Sequence, residues 1–364
     1  MERGIQALRV ELARRCDNVG RRIQFMEVCG THTVSVFRSG IRSMLPSNLR
    51  LISGPGCPVC VTAQRHIDAA MTLASRPNVI IATYGDMIRV PGRGGSLEQR
   101  RADGADVRVV SSALRSLDIA RATPGSEVVF LGVGFETTAP ATAMTILEAQ
   151  RDDIRNFSVL MSHKLVIPAM TALLESGAAE LDGFLCPGHV SVIIGADAYA
   201  PIASRYGMPC VVSGFEPAQI LKGLVRLVRQ VEHGEAKVEN VYPAVVKDGG
   251  NATALEIFRR VFVPCDTIWR ELGVIPMSGF ELAPAFRHFD AIQKFDVELG
   301  EDVDNPACRC GDVILGRLDP CDCALFDNGC TPLTPIGPCM VSSEGTCAAW
   351  FKYNRGACAQ GART

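Results

Sequence analysis

Eight of the chain's 15 cysteines fall within residues 308–358, at Cys308, Cys310, Cys321, Cys323, Cys330, Cys339, Cys347 and Cys358. Six glycines and four prolines are scattered among them. Such a segment cannot build a large apolar core of its own, but its thiols can hold a cluster. In a small secreted protein such density signals a disulfide framework. In a long intracellular chain it points to metal binding or redox chemistry. The odd total also disfavours a fully paired set. Four thiolates hold an iron–sulfur cluster, but the ferredoxin C-x2-C-x2-C run is absent, as are paired C-x2-C zinc knuckles. The doublets are C-x-C instead, Cys308/Cys310 and Cys321/Cys323. Spacing alone does not select four ligands from eight, and a zinc-stabilised tail is the plain alternative.

The rest of the chain has ordinary globular chemistry. Of its 364 residues 47% are hydrophobic and 21% charged, enough core for two or three domains. Lys and Arg (37) nearly balance Asp and Glu (39), which argues against nucleic-acid binding, since phosphates demand a basic face. No apolar run reaches the ~18 residues of a membrane helix. The N-terminal MERGIQALRVELARRCD lacks the apolar core of a signal peptide. The expectation is a cytoplasmic protein that binds neither membrane nor nucleic acid.

Between these ends the chain alternates strand and helix signals, which reads as α/β. Strands are expected at Ile23–Val28, Leu49–Ile52, Val79–Thr83, Val107–Val110, Val128–Val133, Phe157–Met161, Phe184–Leu185 and Cys210–Val212. Several are unbroken apolar runs, as suits strands of a parallel sheet covered on both faces. Helices are expected over 3–15, 61–75, 111–121, 139–151, 166–176, 195–205 and 217–231, with shorter ones over 252–262 and 266–272. Residues 49–75 and 127–150 share a strand, Gly-rich turn and helix. This weak repeat suggests two α/β lobes, 33–122 and 123–235. Residues 1–32 and 236–364 are assigned to a third, cysteine-rich domain.

Three dyads sit just past strand ends: Cys29-x-x-His32, Cys57-x-x-Cys60 and Cys186-x-x-His189. Ligands of open α/β sheets bind at that edge, and three thiol or imidazole pairs converging there would make a metal site. A lone cysteine is more often a small core residue. Cys57 and Cys60, between a strand and a helix, have the setting of a redox dithiol, because a helix N-terminus stabilises a thiolate. Gly132-Val-Gly-Phe-Glu136-Thr-Thr138 lacks the third glycine of a dinucleotide loop, and no P-loop occurs. Asp86, Glu136 and His163 also follow strand ends. They are candidates to orient a ligand or move protons, against the plainer reading of caps and solvated groups.

Five stretches together resemble one family: Phe25 to Thr33, Gly54 to Cys60, Gly134 to Pro140, Cys186 to Ser191 and Cys339 to Cys347. In order and across nearly the whole chain, they resemble the HypD family of hydrogenase formation proteins. The resemblance implies two similar α/β lobes facing across a cleft, plus a domain carrying a [4Fe–4S] cluster. The family's C-x14-C-x6-C-x16-C pattern falls on Cys308, Cys323, Cys330 and Cys347, which become the implied cluster ligands. Cys310 and Cys339 match positions suited to thiol–disulfide exchange; Cys321 and Cys358 match nothing. The implied role is a redox-active scaffold, rather than a conventional turnover enzyme. On it an iron receives two cyanides and one carbon monoxide, alongside a HypC-type chaperone and a HypE-type cyanide donor. Cys29 would hold that iron with His32 nearby, Cys57 and Cys60 would cycle between dithiol and disulfide, and Glu136 and His189 would line the cleft. A monomer is expected in the free state. The competing class is a stand-alone thiol–disulfide oxidoreductase with a structural metal tail; a zinc hydrolase is disfavoured, since no H-E-x-x-H occurs.

Overall fold

The computed structural model describes residues 2–303, 305–356 and 358. The far ends of the expected third domain, Met1 and 359–364, lie outside the described residues. Eleven strands are found among them: β1 (Ile23–Glu27), β2 (Leu49–Ser53), β3 (Val79–Thr83), β4 (Asp106–Val109), β5 (Glu127–Gly134), β6 (Phe157–His163), β7 (Gly183–Pro187), β8 (Cys210–Ser213), β9 (Val238–Asn240), β10 (Phe262–Trp269) and β11 (Gly273–Leu282). They form a parallel sheet in the order β2-β1-β7-β8-β9, a second parallel sheet in the order β4-β3-β5-β6, and an antiparallel hairpin β10-β11.

The unbroken apolar runs follow from burial on both faces. In the first sheet Ile23, Phe25, Leu51, Leu185 and Val211 point toward helices Glu2–Val19 and Pro217–His233, where they meet Leu12, Cys16, Leu224 and Leu227. Their alternates Met26, Ile52, Phe184, Cys186 and Val212 point the other way, into a core shared with the cysteine-rich tail. In the second sheet Phe130, Phe157 and Val159 share one core with Ala143, Ile146, Phe258 and Phe289. Ile81, Val129 and Leu160 face Ile67, Ala70 and Leu73. The period of two thus buries both sets, as parallel pairing requires. Among the described residues no helix is long and apolar enough to cross a membrane.

The α/β expectation is met by the two parallel sheets, but the domain boundaries are not those expected. The lobes read as 33–122 and 123–235 cut across both sheets: β1 and β2 pair with β7 to β9, while β3 to β6 form the other sheet. Nor do residues 1–32 join the tail, since β1 is an inner strand of the first sheet and the N-terminal helix packs on it. Arg15 and Glu232 pair at 2.5 Å across the two covering helices. Strand–helix alternation marks the elements, but it carries no information on which strands pair. The helix expected over 266–272 is instead the end of β10 and its turn into β11. Val263, Thr267 and Ile268 favour extended chain, and Glu271 and Gly273, at φ 64° and 77°, close the turn. The helix expected over 61–75 is broken into Pro58–Val61 and Gln64–Ala74, and that over 195–205 starts only at Asp197, as a 3-10 turn Asp197–Tyr199 followed by helix Ala200–Tyr206. The short strand β9 had no distinct apolar signal.

Candidate functional site

A cleft of about 470 Å³ lies where the carboxyl ends of both parallel sheets meet the tail. The first sheet lines it with Cys29, Gly56, Pro187 and His189; the second with Tyr84, Asp86 and Gly134 to Thr138 bar Glu136; the tail with Ser342 to Glu344. The placement follows the general rule for open α/β sheets. The Gly-Pro-Gly turn after β2 brings two of these loops into contact: Gly30 N–H donates to Gly56 O at 3.2 Å. A Cβ on Gly56 would sit 2.5 Å from Cys29 Cα and closer still to its backbone nitrogen. Neither backbone can yield cheaply, so Gly56→Ala should cost about 2–3 kcal/mol by overpacking. A urea titration of the two proteins checks this.

Cys29 is the N-cap of helix Gly30–Arg38 and is 9% exposed. Burial, with the Glu344 carboxylate second, pushes its thiol up to about 12, while the Thr31 and His32 N–H groups pull the other way. At neutral pH it is therefore a protonated thiol. His32 is fully buried, and Nε2 donates to Gly214 O at 3.0 Å. That bond fixes the tautomer and leaves Nδ1 a lone-pair nitrogen with no hydrogen-bond partner among the described residues. Burial lowers the His32 pKa to about 4, so the ring stays neutral. Phe215 lies between His32 and His189, with ring centroids 4.7 Å and 4.0 Å away.

Of the expected site residues outside the tail, His32, Cys57, Cys60, Cys186 and Glu136 do not line the cleft. Cys186 is fully buried beside Cys210 in the core beneath the first sheet. The strand period sends it inward, so only His189 of that dyad lines the cleft. Glu136 likewise turns away: its Oε1 accepts from Val166 N at 2.9 Å, capping helix Val166–Ser176. Its Oε2 is buried with no hydrogen-bond partner among the described residues, and burial raises the carboxyl from 4.5 to about 7. A raised folded pKa contributes stability below the unfolded value that is lost as pH rises through the folded one. Stability should therefore fall between pH 4.5 and about 7. Glu136→Gln should gain about 3 kcal/mol on wild type over that interval, at ~1.4 kcal/mol per unit. Urea midpoints at pH 5 and pH 8 read the difference.

Cys57 and Cys60 are joined in a disulfide, with Cα atoms 5.3 Å apart on the turn Pro58–Val61. Both are buried, at 5% and 1% exposure. Cys60 Sγ approaches Pro338 O at 4.0 Å. The residue after that proline is Cys339, so the pair abuts the tail.

The tail gathers its own thiols. Cys310 and Cys347 both hydrogen-bond Cys339 and hold its pKa down, while Cys310 also bonds Cys308 and raises it. Cys330 lies close enough to feel the charges of Cys308 and Cys310, and its sulfur accepts from Ile336 N at 3.4 Å. Cys323 packs against the same core. Gly337 leaves a gap in which a Cβ would stand 2.5 Å from the sulfurs of both Cys308 and Cys310. Among the described residues no three His, Cys, Asp or Glu side chains surround a common point as ligands of a single ion. The donor chemistry nonetheless fits an iron–sulfur cluster: several thiols, backbone N–H donors to sulfur and a glycine gap between them.

Sequence reasoning missed how the tail reaches the cleft. Asp86 Oδ2 accepts from Ser342 Oγ and Ser343 N, each at 3.2 Å. Thr31 Oγ1 donates to Glu344 Oε1 at 2.5 Å. The tail loop is thus tied to both sheets, with Glu344 beside Cys29. The S-S-E-G run was visible, but nothing local places it next to a residue more than 300 positions earlier.

A family model, HypD, described as "Hydrogenase formation hypA family", matches residues 4–354. The chain is 47% identical over 342 residues to "Hydrogenase maturation factor HypD" of Azotobacter vinelandii, covering 92% of this chain and 90% of that one. It is 47% identical over 336 residues to the protein of the same name from Escherichia coli K12, with the same coverage. "Hydrogenase maturation factor HypD2" of Bradyrhizobium diazoefficiens is 48% identical over 341 residues, covering 91% of this chain and 90% of its own.

Proposed function

Because the chain belongs to the HypD family, we propose that it acts in hydrogenase maturation, as a redox-active scaffold on which an iron ion receives two cyanides and one carbon monoxide. The observation that carries this reading is Cys29 on the cleft wall, buried His32 with a lone-pair nitrogen one helical turn further on, and the Cys57–Cys60 pair abutting the tail at Pro338. Iron is the cargo. Cys29 binds it as thiolate, a soft donor suited to iron with strong-field diatomic ligands, and His189 on the cleft wall takes up the displaced proton. A HypC-type chaperone shares the iron, and a HypE-type donor delivers cyanide as a thiocyanate on its C-terminus.

Releasing that cyanide needs two electrons. The Cys57–Cys60 dithiol supplies them: thiocyanate plus two thiols yields the donor's thiol, hydrogen cyanide and the disulfide, with every atom accounted for. The disulfide must then be reduced again. Cys60 against Pro338, with Cys339 next in the chain, supplies a route of thiol–disulfide exchange into the tail. Cys310 donates to Cys339 and favours its thiolate, the attacking form. Cys308, Cys323, Cys330 and Cys347 would hold a [4Fe–4S] cluster, which when bound supplies electrons one at a time. Glu136 takes no proton-transfer role, since its carboxyl caps a helix outside the cleft.

The test is anaerobic co-expression with a HypC-type chaperone and a HypE-type donor, followed by infrared spectroscopy of the purified complex. Stretching bands of iron-bound cyanide and carbon monoxide are expected. Their absence from an iron-loaded complex would refute the scaffold role.

A further inference from the structure

The two tail cysteines outside the family pattern are joined to each other. Cys321, in the turn Pro320–Asp322, pairs with Cys358 beyond helix Thr346–Tyr353, with Cα atoms 5.3 Å apart. We propose that this pair is a reversible disulfide staple that locks the end of the chain onto the cysteine-rich tail in response to thiol–disulfide poise.

Three observations carry the proposal. First, both residues are partly exposed, as are Cys308 and Cys323, whereas Cys310, Cys330, Cys339 and Cys347 are buried. A small disulfide or dithiol can reach the staple without disturbing the buried thiols. Second, the link spans 37 positions and encloses Cys323, Cys330, Cys339 and Cys347 in one loop. Closing it restricts the segment that carries those four thiols. Third, weaker contacts already hold the two ends together. Arg355 pairs with Asp327 at 2.5 Å and lies 4.8 Å over the Phe351 ring, which meets Phe326 at 6.2 Å. Noncovalent docking therefore presents the two sulfurs to one another before any bond forms.

The staple bears on the cleft as well as the tail. Helix Thr346–Tyr353 begins beside Cys347 and rests Trp350 and Tyr353 on Phe37, at 5.6 Å and 6.5 Å. Phe37 belongs to the helix capped by Cys29. The chemistry balances with a low-molecular-weight disulfide as oxidant. Two thiols and one such disulfide give the Cys321–Cys358 bond and two small thiols; a dithiol reductant reverses it. The proposal concerns cysteines to which the proposed function gives no part, so it stands or falls separately.

The test uses the full chain, purified without air and incubated with either oxidised glutathione or dithiothreitol. Free thiols are alkylated and the peptides mapped without reduction. The oxidised sample should give a Cys321–Cys358 cross-linked peptide that dithiothreitol abolishes. Trypsin should cut at exposed Lys352 and Arg355 about tenfold more slowly in the oxidised protein, because the staple suppresses local opening. Cys321→Ser and, separately, Cys358→Ala should be cut at one rate in both buffers. The proposal is overturned if Cys358 pairs with another cysteine or carries glutathione while Cys321 is alkylated. It is equally overturned if wild type shows no protection, or if Cys321→Ser is protected as well as wild type.

Discussion

Cys29→Ala is expected to yield a folded protein that no longer retains iron carrying cyanide and carbon monoxide. The substitution removes a small buried thiol at a helix N-cap whose sulfur has only weak hydrogen bonds, so its structural cost is about 1 kcal/mol. Its chemical cost is far larger. Losing an outer-shell partner of a ligand already weakens metal binding ~10–100-fold, and losing the ligand itself exceeds that. Infrared spectra of the chaperone-bound variant should lack the diatomic bands, while the tail keeps whatever visible absorption the wild type has. His32, held to Gly214 O, remains in place and would account for any weak residual binding. Bands of wild-type intensity in the variant would move the ligand assignment away from Cys29.

Cys57→Ser and Cys60→Ser should each abolish hydrogenase maturation without altering the tail. A single thiol cannot return two electrons as an internal disulfide. Members of such a unit are strongly non-additive, so each single variant should fall as far as the double, by ~100-fold or more. The readout is hydrogenase activity in cells whose own HypD-family gene has been deleted, with iron and sulfide content of the purified variants alongside. Graded losses that add up in the double variant would argue that the two cysteines act separately. Normal activity in either single variant would remove the dithiol from the reaction.

Much of this was legible before the fold. Strands were readable because stretches such as Val79 to Ala82 and Val128 to Leu131 are apolar without interruption, as suits a doubly covered parallel strand. The thiol motifs were readable because they follow those strands directly. The illegible parts are all matters of partner choice. Cys186 and Cys29 have the same local setting, yet one faces the core beside Cys210 and the other the cleft. Glu136 and Asp86 both follow strand ends, yet the first caps a helix and the second holds the tail loop. The hairpin from Phe262 to Leu282 hid behind a helix because its strands have one buried and one open face. Their alternation is further broken by a register shift between Cys265 and Thr267.

The amino-acid order by itself determined the elements and the chemical inventory: parallel strands, thiols past their ends, and a tail too rich in cysteine to fold on apolar burial alone. Those properties arise between residues a few positions apart, where side-chain period and backbone preference operate. Only the tertiary structure decided that the chain leaves the first sheet after Ser53 and rejoins it at Gly183, and that Glu344 stands beside Cys29. The same holds for Cys321 meeting Cys358. Such pairings are set by which apolar faces cover one another across long stretches of chain, and no local pattern encodes that competition.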